Sequence, residues 1–229
     1  MHRPLCATGL LLAITVLAVL LQPGTASAQT EVPVNFVKGN NAEVTEEQLD
    51  KALETVNAIF KGCDVKFNRA SFTPINDANA PATPTEGGEG KYTDDMKAVA
   101  KAGQTATKGK DGVLVIVVDN FKKAEGQGPP NINGIGGGGE VIIADPFSIE
   151  ANNMGAAEFG NTLAHELGHA LGLTHKVLKS DKDYPNQDGG EYTQPNIMAK
   201  SRDVREGKPE VTPDQCEELK KGAKKFAKK

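Results

Sequence analysis

Histidine is scarce in this sequence. There are four in 229 residues, three of them within one stretch of eleven and the fourth, His2, near the N-terminus. Imidazole chemistry, if present, is therefore confined to one place. Long apolar runs are also few: beyond one near the N-terminus, no stretch is long enough to cross a bilayer. The formal charge is −4, and without a basic surplus a nucleic-acid partner is not expected. Gly136-Gly137-Gly138-Gly139 is followed by no Lys-Ser/Thr pair and opens no helix, so a nucleotide-phosphate loop is discounted. Cysteine is limited to three residues.

The exceptional apolar run explains one of these cysteines. Arg3, the stretch Leu10 to Leu21, Pro23-Gly24 and the small residues Ala26-Ser27-Ala28 read together as a secretory signal over residues 1–28, cleaved before Gln29. An uncleaved membrane anchor is the competing reading, but the run is short for a span. Export to the periplasm or the extracellular space is expected, with no transmembrane segment in the mature chain. A composition of 38% hydrophobic and 24% charged residues suits one globular domain over residues 29–229, expected to be monomeric. Removal of the signal leaves Cys63 and Cys216, which an oxidising compartment favours joining; two separate buried thiols are the alternative. A bridge would close a loop of about 150 residues, for which chain entropy gives about 4 to 5 kcal/mol, and would tie the first helix to the last.

The eleven-residue stretch, His165 to His175, reads HELGHALGLTH. His165 and His169 are four residues apart, so on an α-helix both rings reach one ion from the same face. Glu166 points to the side of that face, where a carboxylate can hold a water and act as general base. Gly172 suits a left-handed turn that ends the helix and returns His175 to the ion. Three nitrogen ligands with one open position describe a catalytic Zn²⁺ site rather than a structural one. A core-packing reading would bury three imidazoles and a carboxylate with no ligand, against the cost of burying polar groups.

HELGHALGLTH resembles the extended zinc motif of the metzincin metalloendopeptidases. That family carries a methionine beneath the metal, and Met198, in Pro195-Asn196-Ile197-Met198-Ala199, matches it. The resemblance implies an α+β, zincin-like α/β/α domain. Its twisted mixed sheet would have one antiparallel edge strand, with an active-site helix and a C-terminal helix. It also implies hydrolysis of peptide or protein substrates held extended against that edge, a role falling to Asn131 through Gly137. Lys176, after the third histidine, is not an identity common to the matrixin, astacin, serralysin or adamalysin subfamilies. Lys200 stands where astacins and serralysins place a tyrosine. The subfamily is therefore left open and a tyrosine-assisted mechanism is not expected. Matrixins block their metal with a pro-segment cysteine; nothing here matches one, and no activation step is expected. A non-catalytic, exported zinc-binding or adhesion protein is the alternative, against which the intact Glu166 speaks.

Local patterns place the other elements. Glu31 to Val37 alternates like a strand. Thr45-Glu46-Glu47-Gln48 is a capping box, with Val44 and Leu49 as its hydrophobic staple, opening a helix that Gly62 ends. A strand over Val65 to Phe67, a loop from Thr73 to Gly90 and a short helix over Tyr92 to Ala102 follow. Val113 to Val118 is apolar throughout, as in a strand covered on both faces, and Val141 to Ala144 is another strand. The active-site helix spans about Ala156 to Leu171. Asp181, Asp183, Asp188 and Glu191 could bind Ca²⁺, but their spacing is not that of an EF-hand and a solvated acidic loop is the preferred reading. A last helix from Pro213 carries the apolar stripe Cys216, Leu219, Ala223 and Phe226, with a solvated lysine face.

Overall fold

The structure, a computed structural model, describes residues 29–87, 91–123, 133–147, 156–177, 190, 195–199 and 209–227. In chain order the elements are β1 (Thr30–Lys38), α1 (Glu46–Ile59), β2 (Val65–Pro74), α2 (Asp94–Ala106), β3 (Val113–Val118), β4 (Gly134–Gly137), β5 (Glu140–Ala144), α3 (Ala156–Ala170) and α4 (Pro213–Phe226). The expected signal at 1–28, Asn131, the acidic loop with Asp181, Asp183, Asp188 and Glu191, and Lys200 lie outside the described residues. Among those described, no helix is long and apolar enough to cross a membrane.

The sheet order is β2-β1-β3-β5-β4. Every pair is parallel except β4 with β5. All six residues of β3 are buried, and the two-residue period of a strand divides them. Val113, Val115 and Val117 join a core with α1, α3 and α4; Leu114, Ile116 and Val118 join a second core with Met96 and Val99 of α2. The result is the α/β/α sandwich that the resemblance implies. The steps β1-α1-β2 and β2-α2-β3 run in opposite directions across the sheet with their helices on opposite faces, so both crossovers keep one hand.

Capping sets the helix starts. Thr45 and Gln48 exchange bonds of 2.8 and 3.3 Å, completing the capping box, with Val44 and Leu49 buried around it. The end of α1 differs from expectation. After a short turn over Lys61–Cys63, Asp64 rather than Gly62 takes the left-handed conformation, at φ 49°. The reversal is needed directly before β2, once Cys63 is buried, and a short acidic side chain tolerates it. β2 runs on to Pro74 because its second half pairs with β1 across a register shift at Val34/Asn35; its half-exposed position on the sheet edge leaves no apolar alternation to read. α2 starts at Asp94, where Thr93 accepts from the Met96 amide at 3.2 Å.

Two long-range ties close the molecule. Cys63 and Cys216 form a disulfide across 153 residues, joining the end of α1 to α4 as expected and worth about 5 kcal/mol on the chain-entropy account. Asp145, fully buried after β5, accepts from the Val44 amide at 2.9 Å and the Phe147 amide at 2.9 Å, and from the Glu43 amide as well. One carboxylate thereby anchors the loop that enters α1 to the end of β5. The β4–β5 hairpin turns on Gly138 and Gly139, at φ 58° and 87°. Both values are those of the two-residue type I′ turn, which only glycine adopts cheaply at both positions.

Candidate metal centre

Backbone geometry places the three imidazoles. At the end of α3 the Leu173 amide reaches the Gly168 carbonyl at 2.9 Å and the Gly172 amide reaches that of His169 at 3.0 Å. With Gly172 at φ 104°, this is a Schellman cap, and it reverses the chain toward His175 as the sequence indicates. The cap also aims a ligand: the Leu173 carbonyl accepts from His169 Nδ1 at 2.9 Å. His165 Nδ1 donates to the Ile197 carbonyl at 2.6 Å. A carbonyl can only accept, so both rings carry their proton on Nδ1 and turn an Nε2 lone pair away from it.

These lone pairs meet at one point. The three Nε2 atoms of His165, His169 and His175 lie 3.0, 3.0 and 3.2 Å apart. Bare lone pairs repel at such distances, and a cation between them removes the repulsion. Three zinc–nitrogen bonds of about 2.0 to 2.1 Å at tetrahedral angles would set the nitrogens about 3.3 Å apart, so the donor set fits zinc. His165 is buried while His169 and His175 are partly exposed, which leaves the cluster accessible from one side.

Glu166 is 6% exposed and packs under β4. The approach requires glycine on the strand's inner face. A β-carbon on Gly136 would fall 2.3 Å from the Glu166 carbonyl oxygen, and one on Gly134 would fall 2.8 Å from its Cγ. Tyr92 belongs to the same neighbourhood although its sequence context shows only a helix start. Burial raises its pKa above the usual tyrosine range, and the carboxylates of Glu140 and then Glu166 raise it further. The hydroxyl stays protonated throughout the neutral range.

Met198 packs against α3. It is fully buried, and a β-carbon on Gly168 would lie 2.6 Å from its sulfur, so the glycine between the two helical ligands is what admits it. The turn that carries Met198 is held by Asn196, whose Oδ1 accepts from the Met198 amide at 2.8 Å and whose carbonyl accepts from the Ala199 amide at 3.0 Å. The Asn196 and Gln215 side chains then pair head to tail, with both bonds at 3.0 Å. Gly168, Tyr92 and Asn196 carried no recognisable signal in the sequence, because each acquires its meaning from a partner distant in the chain; Gln215 carried only that of a capping box with Thr212.

Imidazoles converging beside a carboxylate, on a helix beneath the antiparallel edge strand of an α/β/α sandwich, define a zinc metalloendopeptidase of the metzincin type. The model for the M12B reprolysin-like metallo-peptidases matches residues 46–176, more than half of the chain, and the chain belongs to this family. Among solved structures it is similar to mirolysin in complex with compound 9, at 13% identity and a TM-score of 0.52 over 89% of this chain and 100% of that one. It is also similar to archaemetzincin from Methanopyrus kandleri, at 17% identity and a TM-score of 0.47 over 90% and 99% of the two chains. Metalloproteinase-II from Bacteroides fragilis is similar at 14% identity and a TM-score of 0.48 over 87% of this chain; the match spans only 55% of that protein. No curated protein matches the chain in sequence.

Proposed function

We propose that the mature chain is an exported endopeptidase, with His165, His169 and His175 as its zinc ligands and Glu166 as its general base. The reading is carried by the three Nε2 atoms within 3.2 Å of one another, two of them from α3, whose Glu166 packs against Gly134. Bound zinc supplies a Lewis acid that polarises the scissile carbonyl and makes water acidic near neutral pH. Glu166 then accepts the proton of the attacking water and hands it to the leaving amine. Its burial beneath a strand lacking side chains on that face restricts the carboxylate's motion and limits competing solvent.

Among the described residues β4 pairs with β5 alone, so its outer edge presents backbone groups to an extended peptide. Substrate binding by strand addition follows from this placement, with Gly134 to Gly137 forming the described part of the surface. Residues 1–28 serve as the export signal in this reading, and the Cys63–Cys216 bridge suits the oxidising compartment that export reaches. Met198 and Gly172 act in support, one beneath the metal and the other at the reversal that returns His175.

The test is cleavage of a peptide library by the purified, zinc-loaded chain of residues 29–229. Cleavage lost on chelation, restored by zinc and absent in Glu166→Ala supports the reading. Cleavage that survives both chelation and Glu166→Ala overturns it, as does zinc binding without turnover of any peptide.

A further inference from the structure

We propose that the buried carboxamide pair of Asn196 and Gln215 is a positioning device for the metal ligand His165, coupling the ligand's orientation to α4. The inference rests on the reading of His165 as a zinc ligand and concerns residues outside the ligand set. Asn196 is fully buried and Gln215 is 1% exposed. Two such amides are costly to bury unless all their groups are satisfied, and here they satisfy each other. Asn196 Nδ2 donates to Gln215 Oε1 and Gln215 Nε2 donates to Asn196 Oδ1, each at 3.0 Å. Gln215 Oε1 also accepts from the Thr212 amide at 2.9 Å, and Asn196 Oδ1 from the Met198 amide at 2.8 Å.

The direction of influence follows from what lies between. Asn196 shapes a turn whose next residue, Ile197, presents the carbonyl that accepts from His165 Nδ1 at 2.6 Å. The Ile197 amide is held at 3.0 Å by the Glu210 carbonyl, so the residue's backbone is held at both its N–H and its carbonyl. On the other side of the pair, Gln215 precedes Cys216, the α4 end of the disulfide. A continuous path thus runs from the bridge to the imidazole. Gln215 also completes the helix cap, accepting a bond from Thr212 while its amide reaches Thr212 Oγ1 at 3.2 Å. The pair and the cap share Gln215 Oε1, but the other half of the cap, from the Gln215 amide to Thr212 Oγ1, uses neither carboxamide, so removing that hydroxyl perturbs the cap and leaves the pair.

The experiment compares Gln215→Glu, Asn196→Asp and Thr212→Val in the full mature chain. The two acidic variants are nearly isosteric, but each loses one donor of the pair and sets carboxylate against carbonyl. Thr212→Val removes the cap side chain and leaves both carboxamides in place. We expect zinc release to a chromophoric chelator about 10- to 100-fold faster in Gln215→Glu and Asn196→Asp, the scale of lost partners behind metal ligands. Their cobalt-substituted forms should show a shifted visible spectrum. Thr212→Val should lower the melting temperature yet keep the parent's release rate and spectrum. The proposal is overturned if the acidic variants release zinc within twofold of the parent, if release in all three merely follows the loss of melting temperature, or if neither acidic variant folds in excess zinc. A parent that binds zinc but cleaves nothing refutes the proteolytic reading and leaves this comparison decisive. A parent that binds no zinc refutes both.

Discussion

The two faces of the sheet share one strand and are held by different means. On the α2 side, Leu114, Ile116 and Val118 pack against Met96 and Val99, and side-chain hydrogen bonds join the start of α2 to Thr85 and its Gln104 to Glu140 of β5. On the side of α1, α3 and α4, Val113, Val115 and Val117 enter a larger core overlaid with directional ties. These are the disulfide, the Asn196–Gln215 pair and the bonds from His165 and His169 to backbone carbonyls. Apolar packing is tolerant of small displacements, whereas a three-nitrogen site is not. On the face of α1, α3 and α4 the directional bonds end on the imidazoles themselves, whereas on the other face they end on α2 and its neighbouring loop.

The largest test of this contrast is Glu166→Gln, which keeps the shape of the metal-side face and removes a base. Turnover is expected to fall by about 10²- to 10⁴-fold, the usual scale of general acid–base catalysis, with zinc stoichiometry by elemental analysis unchanged. Replacing both cysteines, Cys63→Ala with Cys216→Ala, should cost about 2 to 5 kcal/mol in denaturant unfolding. Zinc release should also accelerate, since α4 carries Gln215. Ile116→Ala acts on the opposite face: the side chain is fully buried and a loss of about 2 to 5 kcal/mol is expected. Its zinc release and kcat should match the parent at temperatures where it stays folded. A slower kcat there would erase the distinction between the faces.

The smallest effect concerns the surface. Arg69 of β2 meets Asp50 of α1 at 2.7 and 3.0 Å, and its hydrogen bond holds the Asp50 carboxyl below the usual range. A lowered folded-state pKa contributes stability that is present above the unfolded value and lost as pH falls through the folded one. In Arg69→Ala the loss at neutral pH should be at most about 1 kcal/mol, as for exposed pairs. The difference from the parent should shrink as pH drops below about 4, the ordinary carboxylate value. Unfolding curves at pH 7 and pH 3 check both parts.

Patterns local in sequence were the legible ones. The i, i+4 histidines, Gly172 at the reversal and the Thr45–Gln48 box involve neighbours a turn or so apart, and an α-helix decides their relation without further help. The six residues of β3 were equally plain because burial on both faces removes every polar residue. The length of β2 was not, since a half-exposed edge strand shows no alternation. The pairing of Asn196 with Gln215 was invisible for another reason: Thr212-Pro213-Asp214-Gln215 marks a helix start, but only folding shows that the Gln215 carboxamide also completes the hydrogen bonding of Asn196. Gly168 looked like one more helix residue until Met198 came to rest against it. Gly62 misled because a glycine is the commonest left-handed residue, yet the geometry called for that conformation two positions later, at Asp64.

The disulfide has a consequence in time as well as in space. Cys63 and Cys216 are 153 residues apart, so at about 5 to 20 residues per second of synthesis the first thiol exists for roughly 8 to 30 s before its partner is made. The three histidines are made within that interval, ahead of Asn196, Met198 and Gln215. A nascent chain thus has its ligands before it has the parts that orient them. Order of synthesis places the last helix and its bridge after the histidines they help to orient.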